Sequence, residues 1–473
     1  KGKPLFTSGW KAEDALNDAF HKAGVNKSRK VFTRKDGQTV DFNGSALTMK
    51  KPENADSLAN YVLGDSSEEG TKWRKRTSIL GPIINSSPLT ILPPKNEMRC
   101  SFDNASTVKN RPTYYAAAAN DGMLHIFDPS RNTEAMAYIP STALSKLESL
   151  ADPDATFQYI NDGLMTYADV CMNNKARSVL IGTTGRGGAS VYALDVTNLT
   201  SPNKSNVLWE FSDADDPDLG LTIPQVAITD NKNHEPIAIL GNGYNNKSGN
   251  GYLFVLNINN SGTSWGGQYQ KIRLGNAAVA KPFVYDENQD GIPERVYVGD
   301  YAGKLWRVDY NKDTDTWTVA YNGNPMFSTD NGAPITGAPY ATTTDGKTYV
   351  VVGTGQYLNE SGTAADVQNY AYGLIDDSSN TSPISASSLL DQKIDSRVDY
   401  NKDTNRTLWS ITKNAFIEGT HRGWRLKLNP GQAIASNALV RGDTLAEFVV
   451  VRRTDDGSEA AKKTNPCMIS GST

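Results

Sequence analysis

The chain is short of the residues that most site chemistry needs. Three cysteines occur in 473 residues, Cys100, Cys171 and Cys467. An odd number without CxxC spacing excludes both a disulfide framework and a cysteine zinc site, leaving at most one pair and a leftover. The four histidines, His21, His125, His234 and His421, stand far apart, and no HExxH pair is present. No apolar run approaches the ~18 residues of a membrane-crossing helix. Runs such as FVVV at 448–451 and the alanine-rich stretch 114–119 fall far short of it. Neither sign of charge dominates: 48 Lys+Arg face 52 Asp+Glu, a formal net of -4, so the basic surface of a nucleic-acid reader is missing. The opening KGKPLFTSGW has no initiating Met and no apolar leader, and reads as the start of a C-terminal piece of a longer protein.

What is present is mostly strand. Residues 10–24 carry one helical face, with Trp10, Leu16, Ala19, Phe20 and Ala23 together and Gly24 as the stop. A second short helix follows, capped by Asp56, with Leu58, Tyr61 and Val62 inward and Gly64 at its end. Beyond Leu80 a repeat begins: a β-rich run, a Gly-containing turn, a second β-rich run and a closing Asp or Asn. Its copies lie at 114–128, 178–195, 237–257, 295–309 and 349–376, and their turn residues Ala118, Gly182, Gly241, Gly299 and Gly353 are spaced by 64, 59, 58 and 54 residues. That period suits a four-stranded propeller blade, and residues 81–473 hold about seven of them. The expected fold is all-β, a modified seven-bladed β-propeller over 81–473 with N-terminal and rim helical insertions, and a helical and extended lead-in over 1–80 packed on it. STALSKLESL (141–150) reads as a rim helix capped by Ser141 with Leu144, Leu147 and Leu150 inward, and the Ser-rich stretch 378–389 as a mobile excursion.

The strongest chemical signal is YDENQDGIPERVYVGD. Asp286, Asn288 and Asp290 alternate as oxygen ligands, Gly291 permits a sharp turn, Ile292 offers a carbonyl, and Glu294 closes a nine-residue loop as a late, bidentate-capable ligand. The loop starts like an EF-hand but runs into strand, with Tyr297 at the twelfth position. It contains no basic residue, so Asp286, Asp290 and Glu294 repel one another unless a cation, expected to be calcium, binds. Two other alternating series, Asp309/Asn311/Asp313/Asp315 and Asp399/Asn401/Asp403/Asn405, lack the sixth-position glycine and read as turns. Asp213, Asp215, Asp216 and Asp218 read as a solvated rim loop, Arg441-Gly442-Asp443 as a hairpin turn rather than an integrin tripeptide, His125 as a satisfied strand histidine, and the Gly-rich 182–188 as a turn without the helix N-terminus of a phosphate site. No catalytic or cofactor-binding residue emerges.

RKRTSILGPIINSSPLTI (74–91), NDGMLHIFD (120–128), DGLMTYADV (162–170), DENQDGIPE (286–294) and VQNYAYGLID (367–376), in this order, resemble the C-terminal domain of the PilC/PilY family of type IV pilus biogenesis factors and tip adhesins, from about Arg29 to the end. The resemblance implies a modified seven-bladed propeller whose calcium loop corresponds to Asp286, Asn288, Asp290, Ile292 and Glu294, with Glu294 where Asp is common. It further implies a secreted bacterial pilus factor at the fibre tip and outer membrane. Such a factor is not an enzyme; it favours extension over retraction and supports twitching motility, host-cell adhesion and virulence. Its expected partners are minor pilins, the outer-membrane secretin machinery and a host-cell receptor. The competing class is a quinone-dependent dehydrogenase, which also joins a propeller to calcium, but the adjacent cysteine pair of that family is missing. For a secreted chain, a Cys100–Cys171 bridge flanking the first repeat is expected.

Overall fold

The computed structural model describes residues 11–22, 29–94, 99–103, 105–261, 264–356, 367–377, 382–399, 407–442 and 445–452. The expectations for Trp10, Gly24, Cys467 and Asp443, for Asn401, Asp403 and Asn405, and for residues 378–381 lie outside the described residues.

Strands dominate, and each sequence repeat proves to be the central hairpin of a four-strand meander. The first meander is β3 (Leu89–Ile91), β4 (Tyr114–Ala118), β5 (Leu124–Asp128) and β6 (Thr133–Ile139). Ahead of it in the chain, β1 (Val31–Lys35) and β2 (Gln38–Asp41) extend the same sheet, giving the order β2-β1-β6-β5-β4-β3. The second is β7 (Met165–Met172), β8 (Lys175–Thr183), β9 (Ser190–Asp195) and β10 (Val207–Ser212). A third orders β11 (Ala227–Asp230), β12 (Pro236–Gly241), β13 (Gly251–Asn257) and β14 (Tyr269–Gly275). The fourth is β15 (Val279–Tyr285), β16 (Arg295–Asp300), β17 (Lys304–Asn311) and β18 (Thr316–Val319), with β19 (Phe327–Ser328) also on β17. In the fifth, β20 (Tyr340–Thr344), β21 (Lys347–Gly353) and β22 (Tyr370–Asp376) are completed by β25 (Gly423–Lys427). The chain first makes the hairpin of β23 (Leu390–Asp399) and β24 (Thr407–Ile411), which adds to the far side of β25. Among the described residues these five sheets are joined by two small pairs, β26 (Gln432–Ala433) with β29 (Val451–Arg452), and β27 (Leu439–Arg441) with β28 (Leu445–Glu447).

By compactness the chain divides into two units, 1–249 with 254–271, and 250–253 with 272–473. In the first, β1 runs parallel to β6, pairing Val31 with Ala137 and Thr33 with Ile139, and the Thr33 hydroxyl donates to the Ile139 carbonyl at 2.8 Å. Among the described residues the chain opens on α1 (Ala12–Lys22), and Leu58, Tyr61 and Val62 of α2 (Ala55–Leu63) bury with Val31, Met123, Ile139 and Leu147. Tyr114, Ile126, Tyr138, Leu180, Tyr192 and Leu194 form a second apolar cluster, each fully buried. In the second unit Tyr297, Leu305, Phe327, Val350, Tyr372 and Leu374 do the same. The repeat glycines are set by close approach: a Cβ on Gly299 would lie 2.1 Å from Ile335 Cγ2, and one on Gly353 2.2 Å from Ile434 Cγ2. Cys100 and Cys171 are bridged across 71 residues of chain, tying the connection between β3 and β4 to β7.

Several local expectations need correction. The segment at 141–150 forms two short helices, Ser141–Leu144 and Leu147–Ala151, and Ser141 caps neither. Its N–H and hydroxyl instead donate to the Glu210 carboxylate, which also takes the Tyr138 and Ser190 hydroxyls. A buried carboxylate outcompetes a helix end for these donors. Asp56 lies inside the first turn of α2, where it makes no cap hydrogen bond, while Gly64 does end the helix at φ 116°. The described part of the Ser-rich stretch is anchored, not loose: Ile384 is buried and its N–H donates to Met326.

The lead-in is fixed to the first meander by a buried charge network. Arg29 Nε bonds Glu134 at 2.7 Å, Glu134 bonds His125 Nδ1 at 2.7 Å, and His125 Nε2 reaches Asp121 at 3.0 Å. Burial disfavours the imidazolium, but the charge and hydrogen bond of Asp121, then those of Glu134, overcome it and raise His125 to about 9. Burial likewise works against the Glu134 carboxylate, yet Arg29 and His125 bring it down to about 2. Since the folded value of His125 exceeds the ordinary 6.5, its contribution is complete below about pH 6.5 and disappears as pH rises through about 9. Thermal unfolding across that range should show an alkaline loss of several degrees (roughly 4–8 °C per kcal/mol in a small domain, less in a larger one) that His125→Gln flattens. Identical profiles for the two proteins would contradict the assignment.

Candidate metal centre

The loop between β15 and β16 starts from a ladder that clamps both its ends. Tyr285 pairs with Arg295, the Glu294 N–H donates to the Tyr285 carbonyl at 3.0 Å, and the Glu294 carbonyl accepts from Tyr310 N–H at 2.9 Å. Glu294 is therefore held from both sides. Between these anchors the backbone turns through Gln289 at φ 59° and Gly291 at φ 87°, the second a left-handed conformation that glycine takes without strain.

The turn aims oxygen inward. Asp286 accepts from the N–H of Asp290 at 3.2 Å and of Gly291 at 2.7 Å, which orients its carboxylate. Asn288 Oδ1 accepts the Asp290 N–H at 3.0 Å, and Asp290 Oδ1 accepts the N–H of buried Ile292 at 2.7 Å. Glu294 Oε2 accepts from Glu287 N–H at 2.7 Å. One carboxylate oxygen each from Asp286, Asp290 and Glu294 lies within 4.8 Å of the others, and this is the group among the described residues that could hold a metal ion. An all-oxygen donor set with three carboxylates suits a hard divalent cation rather than a thiophilic one.

The loop itself holds no basic residue, but a cation reaches its acids from the neighbouring hairpin. Lys312, just past β17, reaches over with Nζ 3.1 Å from Asp290 Oδ2 and 2.7 Å from Glu294 Oε1. Its partial burial works against the charge, but the bonds to Glu294 and then Asp290 hold its pKa above the ordinary lysine range. The Asp290 carboxyl is lowered, chiefly by the Ile292 N–H and next by Lys312. Lys312 belongs to VDYNKDTDTW, the segment that carries the Asp309/Asn311/Asp313/Asp315 series. Antiparallel register carried the missed signal, because Arg295 pairs with Asp309 and so brings the residues after 309 beside those before 295.

The other acidic series are engaged elsewhere. Asp309 is paired by Arg307 at 2.7 Å, Asn311 accepts from Asp313 and Thr314 N–H, and Asp315 accepts from the Tyr310 hydroxyl at 2.6 Å. The 213–218 cluster is not merely solvated: Asp216 is buried, and Lys271 bonds Asp216 at 2.8 Å and Asp218 at 2.6 Å while Tyr269 donates to Asp216. Gly442 turns the β27–β28 hairpin at φ 54°, beside Arg441 paired with Glu447. Residues 185–187 form one tight turn leading into β9.

Repeated four-strand meanders, one with a hairpin that gathers carboxylates, define an all-β chain of propeller type. The chain belongs to the PilY1 β-propeller family, whose domain model matches residues 80–405. It is 32% identical over 384 residues to a Xylella fastidiosa (strain Temecula1) protein named type IV pilus biogenesis factor PilY1 homolog, covering 72% of this chain and 25% of that protein. It is 30% identical over 446 residues to type IV pilus biogenesis factor PilY1 of Pseudomonas aeruginosa (strain PAK), covering 82% and 37%. This chain thus spans between a quarter and about two fifths of those relatives' lengths. The crystal structure of the P. aeruginosa PilY1 C-terminal domain has the same fold, with a TM-score of 0.62 at 23% identity over 74% of this chain and 78% of that one. Among the described residues no helix is long and apolar enough to cross a membrane.

Proposed function

We propose that the protein is a calcium-dependent type IV pilus biogenesis factor, in which calcium bound by Asp286, Asn288, Asp290, the Ile292 carbonyl and Glu294 favours pilus extension over retraction. The observation that carries the reading is the coincidence of two independent facts: membership of the PilY1 propeller family, and an all-oxygen loop whose carboxylate oxygens lie within 4.8 Å of one another. Three carboxylates against the single ammonium of Lys312 leave residual negative charge for a divalent cation to neutralise.

In this reading the protein works outside the cell at the pilus tip and outer membrane, with minor pilins and the secretin machinery as partners. Twitching motility, virulence and attachment to a host-cell receptor follow from the pili it maintains. In this reading the propeller is a modified seven-bladed one occupying 81–473, with the five meanders as five of its blades and 1–80 as lead-in. It is a binding protein and not an enzyme; relatives at 30–32% identity carry pilus-factor names, which favours this over the quinone-dehydrogenase alternative.

Calorimetric titration of calcium into the chain should reveal one site that Asp290→Ala removes; undiminished binding by the variant would move the site away from this loop. In cells, Asp290→Ala in the full-length gene should leave protein abundance normal but strip surface pili. Disabling the retraction motor should then bring the pili back. Wild-type piliation and motility in the Asp290→Ala strain would separate the loop from the function.

A further inference from the structure

We infer that Lys312 is a tethered counter-cation that calcium must displace. The inference rests on the calcium reading above and concerns a residue outside the ligand series. The Lys312 ammonium contacts Asp290 Oδ2 and Glu294 Oε1, and both remaining oxygens of these carboxylates are already held by backbone N–H groups, of Ile292 and Glu287. The lysine thus sits on the one oxygen of each carboxylate that no backbone N–H orients; Asp290 Oδ2 also accepts from the Asn288 side-chain amide at 3.1 Å. An ammonium and a divalent cation cannot share these oxygens, because like charges a few ångströms apart in a partly buried site repel strongly.

Two consequences follow. Without calcium the loop keeps its folded turn, because Lys312 offsets the repulsion among Asp286, Asp290 and Glu294 that would otherwise open it. With calcium, Lys312 leaves the carboxylates and its charge moves to the surface beside the turn after β17. Metal binding thus exchanges one cation for another, and the lysine weakens the apparent calcium affinity by the strength of its own pairing.

Lys312→Met, Lys312→Arg and Asp290→Ala, each in the chain described here, test this by calorimetric titration with calcium chloride and by thermal unfolding in EDTA and in saturating calcium. Lys312→Met should tighten the calcium Kd about ten-fold, lower the unfolding temperature in EDTA and enlarge the rise that calcium produces, whereas Lys312→Arg, which keeps the charge, should stay near wild type. A lysine that is only a bystander would leave the EDTA unfolding temperature unmoved. If wild type binds calcium, Asp290→Ala does not, and Lys312→Met binds no tighter than wild type, the lysine's role is overturned and the calcium site stands. If neither wild type nor Lys312→Met binds calcium, both are overturned.

Discussion

The constraint on which the molecule turns is the register of its antiparallel ladders. A strand pair must satisfy its backbone groups along its whole length, and one slip would carry every side chain to the opposite face. In the fourth meander that register fixes Tyr285 against Arg295 and Arg295 against Asp309. Glu294 is thereby bonded through its backbone to Tyr285 on one side and Tyr310 on the other. A residue so held cannot drift from the turn it closes. The position of the late carboxylate, and of the lysine two residues beyond Tyr310, is a product of strand pairing and not of the loop itself.

The same ladders leave buried acids that must find donors, and they do so from neighbouring elements. Glu210 collects the hydroxyls of Tyr138, Ser141 and Ser190; Asp376 collects those of Tyr297 and Tyr321 with the Arg307 guanidinium at 2.8 Å. Glu134 is held between Arg29 and His125. In each case a side chain on one strand is satisfied by residues from another element, so breaking one such group would strand a buried charge at about 3–5 kcal/mol. The acids of the 286–294 turn differ in being open to solvent, and solvent-open oxygens are free to exchange partners.

Much of this was written in the chain. The β-rich runs leading into Gly182, Gly241, Gly299 and Gly353 marked the central hairpins, and at Gly182, Gly299 and Gly353 close packing leaves no room for a side chain. The ligand series 286–294 was legible for the same reason: every constraint on it acts within nine residues. What could not be read were partners from a distance. Lys312 lies 18 residues from Glu294, Lys271 lies 55 from Asp216, and Glu210 lies 69 from Ser141, whose hydroxyl it takes from a cap. Each of these pairings is decided by packing between strands, so the local pattern suggested a bare acidic turn, a solvated loop and a capped helix.

The central claim is that strand register brings Asp286, Asp290 and Glu294 to a point where calcium and Lys312 compete. A crystal structure determined at saturating calcium, with anomalous data collected at long wavelength to identify the ion, addresses it directly. A calcium peak bounded by Asp286, Asp290 and Glu294 is expected, with the Lys312 ammonium withdrawn from both carboxylates. Lys312 still seated on Asp290 and Glu294, with no anomalous peak in the loop, would contradict it.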